Sequence, residues 1–430
     1  MTVHRKNRAV RRGPQETLDL TITALGAQGD GIAAHGGEKL FVPFTLPGDG
    51  VTARRIGPHH AIPIAWHAKA PAHAAPACPH FGTCGGCALQ HLNDDAYAAW
   101  KIELLMETLA HRGFTDVKLQ PLARTPPAAR RRADLGVART GDRVAIGFHA
   151  YKSRQLVDLQ ACPVLEPALF ALLPALRGLL TRLLADGQTA DILATRTESG
   201  MDLLFRHAKA PDQAAREAII AFAQEQDIAR VAWQRATEPA EIIVQRRVPR
   251  VTFGAVAVEL PPGAFLQASP QGERAIVDEV CKAASGARRI IDLYAGCGTL
   301  TFPLARSARV RAVEGAKDLA ASLDMAARRA NLGGRIAVET RDLMRRPLLP
   351  EELDGADAVV FDPPRDGAGP QAAAIARARV PNVIAVSCNP ATFARDARIL
   401  ADGGYRLLSV TPVDQFLWSP HLELVASFRR

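Results

Sequence analysis

No stretch of the sequence reaches the roughly 20 uninterrupted apolar residues that a membrane helix needs, so no membrane association is expected. The best candidate, Ala168 to Leu184, is broken by Pro174, Arg177 and Arg182, and is expected to form an amphipathic helix. Aromatic residues are scarce, at 5%, which weakens any case for a surface built to stack single-stranded bases. Seven cysteines in 430 residues do not suggest a disulfide framework, so metal binding and catalysis are the questions to ask of them. The charges near the N-terminus (His4, Arg5, Lys6, Arg8, Arg11, Arg12) have no apolar segment behind them. A secretory leader is therefore not expected, and a cytoplasmic location is.

What is present is ordinary globular composition, 48% hydrophobic and 23% charged, which excludes disorder, collagen-like repetition and coiled coil as the main architecture. A chain of 430 residues exceeds what one core serves, so two or three domains are expected. Lys and Arg number 53 against 44 Asp and Glu, a net charge of +9, which favours a polyanionic partner without establishing one.

Residues 1 to about 14 are polar and basic, with little to bury, and are expected to be disordered. Beyond them Leu18, Leu20 and Ile22 alternate with polar residues as in a half-buried strand. Turn signals recur at Gly29-Asp30-Gly31, Gly36-Gly37 and Pro47-Gly48-Asp49-Gly50, with apolar strands such as Leu40-Phe41-Val42 and Val51 to Ile56 between them. Several short strands over residues 14–69 suggest a small β-barrel, closed by the Pro/His/Ala-rich linker Pro71 to Pro79. Residues 70–250 hold a cysteine cluster, a helix from about Asp95 to Arg112, and mixed strands and helices that define a central α+β domain but no topology. From residue 251 to 430 strands alternate with helices: Arg289–Leu293, Val310–Val313, Ile336–Glu339, Ala358–Phe361 and Val383–Val386, followed by Tyr405–Val410 and Leu422–Phe428. That alternation predicts an open, mostly parallel, doubly wound α/β sheet of Rossmann type.

Ligands of such sheets sit beyond the carboxyl ends of the strands. The residues there are Asp292-Leu-Tyr-Ala-Gly296-Cys-Gly298, Glu314, Asp342, Asp362-Pro-Pro-Arg365 and Ser387-Cys-Asn-Pro390. The glycine loop lets backbone approach a ligand, and Glu314 is placed to accept hydrogen bonds from ribose hydroxyls. Dinucleotide dehydrogenases share both features, and a tight turn without a ligand shares the first. Thr301 stands where the dinucleotide fingerprint has its third glycine. That favours a nucleoside cofactor without a pyrophosphate, S-adenosylmethionine.

An exocyclic-amine methylase would carry an aromatic residue after Asp362-Pro363-Pro364, and here Arg365 follows. Cys388, in a rigid turn at the end of a buried strand, is either a nucleophile or a structural cysteine. A thiolate has a use in one methylation. Carbon 5 of uracil is a poor nucleophile until a thiolate adds to carbon 6, and a base must then remove the carbon-5 proton. Glu423 in the last strand is the candidate base, or else an exposed strand carboxylate.

Asp362-Pro-Pro-Arg365, Ser387-Cys-Asn-Pro390, His421-Leu-Glu423 and Phe265-Leu-Gln267 resemble the motifs of the RNA 5-methyluridine methyltransferases. Within them the chain looks most like the iron–sulfur 23S ribosomal RNA (uracil-5-)-methyltransferases, over nearly its whole length. The resemblance implies that Cys388 is the nucleophile and Glu423 the base, and that Gln267, Tyr294, Thr299, Glu314, Asp342 and Asp362 line the cofactor and uracil pocket. Two departures stand out: Ser269 where the family usually has Asn, and Thr299 where it often does.

Cys78-x5-Cys84-x2-Cys87, followed much later by Cys162-Pro163, supplies four thiols suited to zinc or to an iron–sulfur cluster. The three-plus-one spacing and the trailing proline favour the latter, and the resemblance implies a [4Fe–4S] cluster on Cys78, Cys84, Cys87 and Cys162. Cys281 and Cys297 are expected to be packing residues. Leu25-Gly-Ala-Gln-Gly-Asp-Gly-Ile32 and Leu46-Pro-Gly-Asp49 give the barrel a resemblance to TRAM domains, RNA-binding modules of oligonucleotide-barrel type. Phosphate contacts would come from Arg5, Lys6, Arg11, Arg12, Arg54, Arg55 and Arg130 to Arg132. The expected protein is thus a three-domain methyltransferase making 5-methyluridine in RNA, with 23S ribosomal RNA as the favoured partner. No protein partner is implied, and a monomer is expected. The rivals are a transfer RNA enzyme of the same chemistry and a non-catalytic iron–sulfur RNA-binding or assembly factor.

Overall fold

The computed structural model describes residues 16–430. The expected disorder of residues 1 to about 14 and the phosphate contacts of Arg5, Lys6, Arg11 and Arg12 lie outside the described residues. The chain divides into two compact units: one holds the chain up to Ala77 with Cys87–Tyr97 and Trp418–Pro420, the other Cys78–Gly86, Ala98–Leu417 and His421–Arg430.

In the first unit, strands Thr17–Leu25, Gly31–His35, Glu38–Val42, Gly50–Gly57 and His60–Ala68 form a closed five-stranded barrel. Strand alternation sends Leu18, Leu20 and Ile22 inward against Ala33, Leu40, Val42, Val51, Ala53 and Ala61, and leaves Thr17, Asp19 and Thr21 exposed. The Pro47-Gly48-Asp49-Gly50 turn is organised by the buried Asp49 carboxylate, which accepts the backbone N–H of Leu46 and of Ala70, both at 2.8 Å. Those bonds satisfy donors that an unpaired turn would leave buried.

The second unit contains two large sheets and the two-stranded antiparallel pair Arg250–Phe253 and Val256–Glu259. In an eight-stranded sheet the order is Ile336–Thr340, Arg309–Glu314, Arg289–Leu293, Ala358–Phe361, Asn382–Ser387, Glu423–Arg429, Arg406–Asp414 and Ala123–Arg124. The first five strands are parallel, and Glu423–Arg429 runs antiparallel to both of its neighbours. Successive side chains of the parallel strands enter opposite cores. Ile290, Val310, Val360 and Ile384 pack on one side, and Ile291, Val313, Val359 and Val383 on the other. The chain order reverses on either side of Arg289–Leu293, which is where a doubly wound sheet opens its ligand crevice. Leu105 and Leu109 of the helix Asp94–Ala110 are fully buried in the second of these cores, and the strand Ala123–Arg124 extends the sheet edge.

A seven-stranded sheet lies within residues 132–245, in the order Glu241–Gln245, Arg230–Gln234, Gly200–Arg206, Thr189–Thr197, Arg132–Thr140, Arg143–His149 and Leu156–Asp158. Helices Leu173–Leu183 and Gln213–Glu225 supply Leu176, Leu180, Ile219 and Phe222 to its core. The single helix expected over Ala168 to Leu184 is two, Pro167–Ala171 and Leu173–Leu183. Pro174 has no N–H to donate to a carbonyl one turn back, so the first helix stops short of it and the second carries the proline in its first turn. Among the described residues no helix is long and apolar enough to cross a membrane.

Candidate active site

Two loops at the carboxyl ends of adjacent parallel strands bear the reactive groups. Asp362 follows Ala358–Phe361, and Cys388 follows Asn382–Ser387. The Ser387-Cys-Asn-Pro390 turn is rigid for local reasons. Asn389 caps the helix Pro390–Asp402 by accepting the Ala391 N–H at 3.1 Å, and Pro390 opens that helix. The Asn389 side-chain amide and the Thr392 hydroxyl both donate to the Arg365 carbonyl, each at 3.1 Å, so the Asp362-Pro-Pro-Arg365 loop is tied to the cysteine turn.

Four of the expected residues come together here. Gln267 and Glu423 are buried, at 4% and 2% exposure, and Gln267 donates to Asp362 at 3.3 Å. Burial, opposed by the Gln267 hydrogen bond, raises Asp362 to about 7. Burial first, then the Asp362 charge, raises Glu423 to about 8. Cys388 is raised to about 11 by burial and by the charges of Glu423 and Asp362, with Arg365 pulling the other way. The thiol is therefore protonated at neutral pH, beside two carboxyl groups that titrate close to it. Arg365 also reaches His421 Nδ1 at 3.1 Å, and His421 is lowered to about 4 by burial and by that guanidinium.

A fifth member of the cluster carries no sequence motif. Gln415, 3% exposed, donates to Gln267 Oε1 and to Glu423 Oε2, both at 2.7 Å, and accepts the Ala268 N–H at 3.0 Å. Ser269, at the position where the family usually has Asn, caps the helix Pro270–Ala283 by accepting the Gly272 N–H at 3.0 Å. Asn is as good an N-cap as Ser, so this departure conserves the helix start.

The remaining expected residues surround the glycine loop. Glu314 accepts the N–H of Gly296 at 2.8 Å and of Ala316 at 2.7 Å. Asp342 accepts the N–H of Met344 at 3.0 Å, and the Tyr294 hydroxyl lies 3.8 Å from the Met344 sulfur. Thr299 is half-buried. Tyr294 has φ of +61°, a left-handed conformation unusual for a bulky residue and typical of functional loops. A Cβ on Gly298 would come within 2.5 Å of the Phe302 ring, whereas one on Gly296 would meet nothing within 4 Å. Gly298 thus closes the loop on its helix and Gly296 faces open space. Asp292, which heads the glycine-loop segment, is 1% exposed. One of its oxygens accepts the Thr301 hydroxyl at 2.5 Å and the other, Oδ1, has no partner. Burial and the charges of Asp362 and Glu314 raise it to about 7.

Cys84 is buried, and Cys78, Cys87 and Cys162 are half-buried. Burial raises the Cys84 thiol, and the charges of Cys162 and Cys78 raise it further; Cys162 responds to Cys78 in the same way. Among the described residues no three His, Cys, Asp or Glu side chains are arranged as a metal-holding group. Cys297 is buried, which raises it to about 12, as suits a packing residue.

The basic residues divide. Arg54 is exposed, but Arg55 is paired with Glu38 at 2.5 Å and Glu16 at 3.5 Å. Arg131, expected among the phosphate contacts, is 8% exposed, paired with Glu273 at 2.6 Å and bonded to the Gln267 carbonyl at 3.2 Å. It supports the pocket wall instead of facing a phosphate. Arg132 lies over the Phe265 ring, 5.5 Å from its centroid.

Comparison with known proteins fits this arrangement. The tRNA (uracil-5-)-methyltransferase family matches residues 349–429 and the TRAM domain matches residues 11–54. An uncharacterized RNA methyltransferase of Caulobacter vibrioides is 44% identical over 96% of this chain and 100% of its own length. The 23S rRNA (uracil(1939)-C(5))-methyltransferase of Alkalilimnicola ehrlichii is 34% identical over 98% of both chains. The crystal structure of Pyrococcus abyssi tRNA (uracil-54, C5)-methyltransferase, in complex with S-adenosyl-L-homocysteine, shares the fold with a TM-score of 0.73, at 23% identity over 96% of this chain and all of that one. The chain belongs to the RNA (uracil-5-)-methyltransferase family.

Proposed function

We propose that the protein transfers a methyl group from S-adenosylmethionine to carbon 5 of a uridine in RNA, with 23S ribosomal RNA as substrate, through a covalent bond between Cys388 and carbon 6. The carrying observation is the cluster of Cys388, Asp362, Gln267 and Glu423, drawn from motifs up to 156 positions apart (423 − 267). The 34% identical 23S rRNA relative supports the ribosomal substrate.

The residues present suit the cofactor. Asp292 Oδ1 is a buried acceptor without a partner, the kind of atom that a ligand's ammonium group completes. Gly296 faces open space, and Tyr294, Thr299, Glu314 and Asp342 surround that loop. S-adenosylmethionine, when bound, supplies an electrophilic methyl group on a positively charged sulfur. Gln267 and Asp362 orient the uracil. Cys388 gives up its proton to the Asp362 carboxylate, which leaves Glu423 ionised for the later step; its sulfur bonds to carbon 6, and the carbon 5–carbon 6 π electrons shift so that negative charge develops at carbon 5, which takes the methyl group. Glu423 then removes the carbon-5 proton; the electrons of that bond restore the carbon 5–carbon 6 double bond, and Cys388 leaves as thiolate. The target uridine must leave its stack to reach Cys388, at a cost of roughly a few kcal/mol.

Cys78, Cys84, Cys87 and Cys162 would hold a [4Fe–4S] cluster. The support is their thiolate chemistry, their spacing, and the charge influence of Cys162 and Cys78 on Cys84 and of Cys78 on Cys162. In this reading residues 14–69 contact RNA, 70–250 carry the cluster and 251–430 perform the transfer. The protein works as a monomer in the cytoplasm, a compartment in which cysteine thiols are kept reduced.

The test is mass-spectrometric mapping of 5-methyluridine in 23S and transfer RNA from cells with and without the gene. Loss at one 23S position is expected. Loss from transfer RNA keeps the chemistry and overturns the substrate. With the purified enzyme, Cys388→Ala is expected to abolish methylation and retain cofactor binding; methylation by that variant would refute the covalent route.

A further inference from the structure

We propose that Gln415 is a positioning residue for the proton-abstracting base, its side-chain amide dictating which oxygen of Glu423 faces the substrate and locking that carboxylate to Gln267. This rests on Glu423 being the base in the reaction proposed above.

Gln415 follows directly on the strand Arg406–Asp414 and is 3% exposed. The orientation of its amide is settled by backbone. The Ala268 N–H can only donate, so the atom facing it at 3.0 Å is Oε1. Nε2 therefore faces the other way, and its two hydrogens go to Gln267 Oε1 and Glu423 Oε2, each at 2.7 Å. Two consequences follow from counting donors and acceptors. Gln267 must present its own Nε2 away from Gln415, and it does so toward Asp362 at 3.3 Å. Glu423 has Oε2 occupied, which leaves Oε1 as the oxygen that accepts the carbon-5 proton. A flipped Gln415 amide would set two donors against each other at Ala268 and two acceptors at Glu423. One backbone N–H thus orients four side chains in series.

The amide is also held in place sterically. A Cβ at Gly272 would come within 2.6 Å of Gln415 Cβ, so the helix beginning at Pro270 approaches Gln415 as closely as glycine permits. On the other side Asp414 accepts from Lys101 at 3.1 Å, and its carbonyl accepts the Thr125 hydroxyl at 2.9 Å. In the step served, the carbon-5 proton goes to Glu423 Oε1, the carbon 5–hydrogen electrons form the double bond, and the carbon 6–sulfur pair returns to Cys388. Only this step needs the base, so misplacing Glu423 leaves thiolate addition and methyl transfer intact and stalls the enzyme on methylated RNA.

The experiment uses the full-length holoenzyme with substrate RNA carrying hydrogen or deuterium at uracil carbon 5. In Gln415→Leu, kcat is expected to fall by about 10- to 100-fold, with KM for RNA and cofactor within about twofold. A methylated covalent RNA–enzyme adduct should accumulate on denaturing gels, and a deuterium effect on turnover should appear or grow. Should Gln415→Leu not fold, Gly272→Ala makes the same test by displacing the amide without removing it. Normal turnover, or slow turnover with raised cofactor KM and no adduct, would overturn the proposal. If the wild-type enzyme itself neither methylates carbon 5 nor is trapped by 5-fluorouridine RNA, the proposed reaction is what fails.

Discussion

Asp362 and Glu423 show how burial sets the chemistry of single side chains. Each carboxyl group is raised, Asp362 to about 7 and Glu423 to about 8, because the ionised form has lost its water, and Glu423 also faces the Asp362 charge. The consequence for stability has a definite sign. Below about pH 4 these groups are protonated in both folded and unfolded chains. Above it the unfolded chain ionises first, and the stability they contribute is lost as pH rises through the folded values. Glu423→Gln removes one of the two groups. In the ligand-free protein the variant should outlast the wild type at pH 8–9 by on the order of a few kcal/mol, with the gap closing toward pH 4. Thermal melts across that range check this, and a gap that does not change with pH would contradict it. The candidate nucleophile Cys388 and the candidate base Glu423 stand out in sequence because each sits in a short motif at a strand end, Cys388 just after Asn382–Ser387 and Glu423 at the start of Glu423–Arg429. Gln415 does not, since nothing local marks a glutamine that follows a strand, and its role exists only through Ala268, Gln267 and Glu423.

The helix Asp94–Ala110 buries a lysine. Lys101 is fully buried and donates to Asp414 at 3.1 Å and to the His421 carbonyl. It thus joins the end of the strand Arg406–Asp414, which Gln415 directly follows, to the approach to Glu423–Arg429, which Glu423 opens. Burial lowers the Lys101 pKa and the Asp414 charge opposes that. Removing one partner of such a pair strands the other charge in the core. Lys101→Met should cost about 3–5 kcal/mol by urea denaturation, and adding Asp414→Asn should recover part of it. Strictly additive losses would mean that the pair is not coupled. In sequence, a lysine on an amphipathic helix reads as solvent-facing, as Arg131 in a run of three arginines reads as surface. Periodicity locates an apolar face but not the buried acceptor that can draw a cation beneath it.

At the scale of the whole molecule, the cysteines connect loops distant in sequence. The Cys162 charge bears on the buried Cys84 thiol across 78 positions (162 − 84). If they hold the proposed cluster, protein purified without oxygen should contain about four iron atoms per chain. Cys84→Ser should lose them, and Cys281→Ser, which alters a half-buried residue packed on the core of the eight-stranded sheet, should not. Zinc in place of iron would change the metal assignment, and full iron retention in Cys84→Ser would remove Cys84 from it.

Sequence by itself determined the alternating strands and helices, hence the parallel sheet, and the residues at its strand ends, because both are properties of neighbouring positions. It also indicated a β-barrel, since turn residues recur at short intervals there. Tertiary structure alone decided the seven-stranded sheet, where Arg132–Thr140 pairs with Thr189–Thr197 across some 50 intervening positions. It decided equally the burial of Lys101 and Arg131 and the hydrogen-bond chain through Gln415. Such contacts depend on which segments meet, and hydrophobic pattern records that a face is buried without recording what buries it.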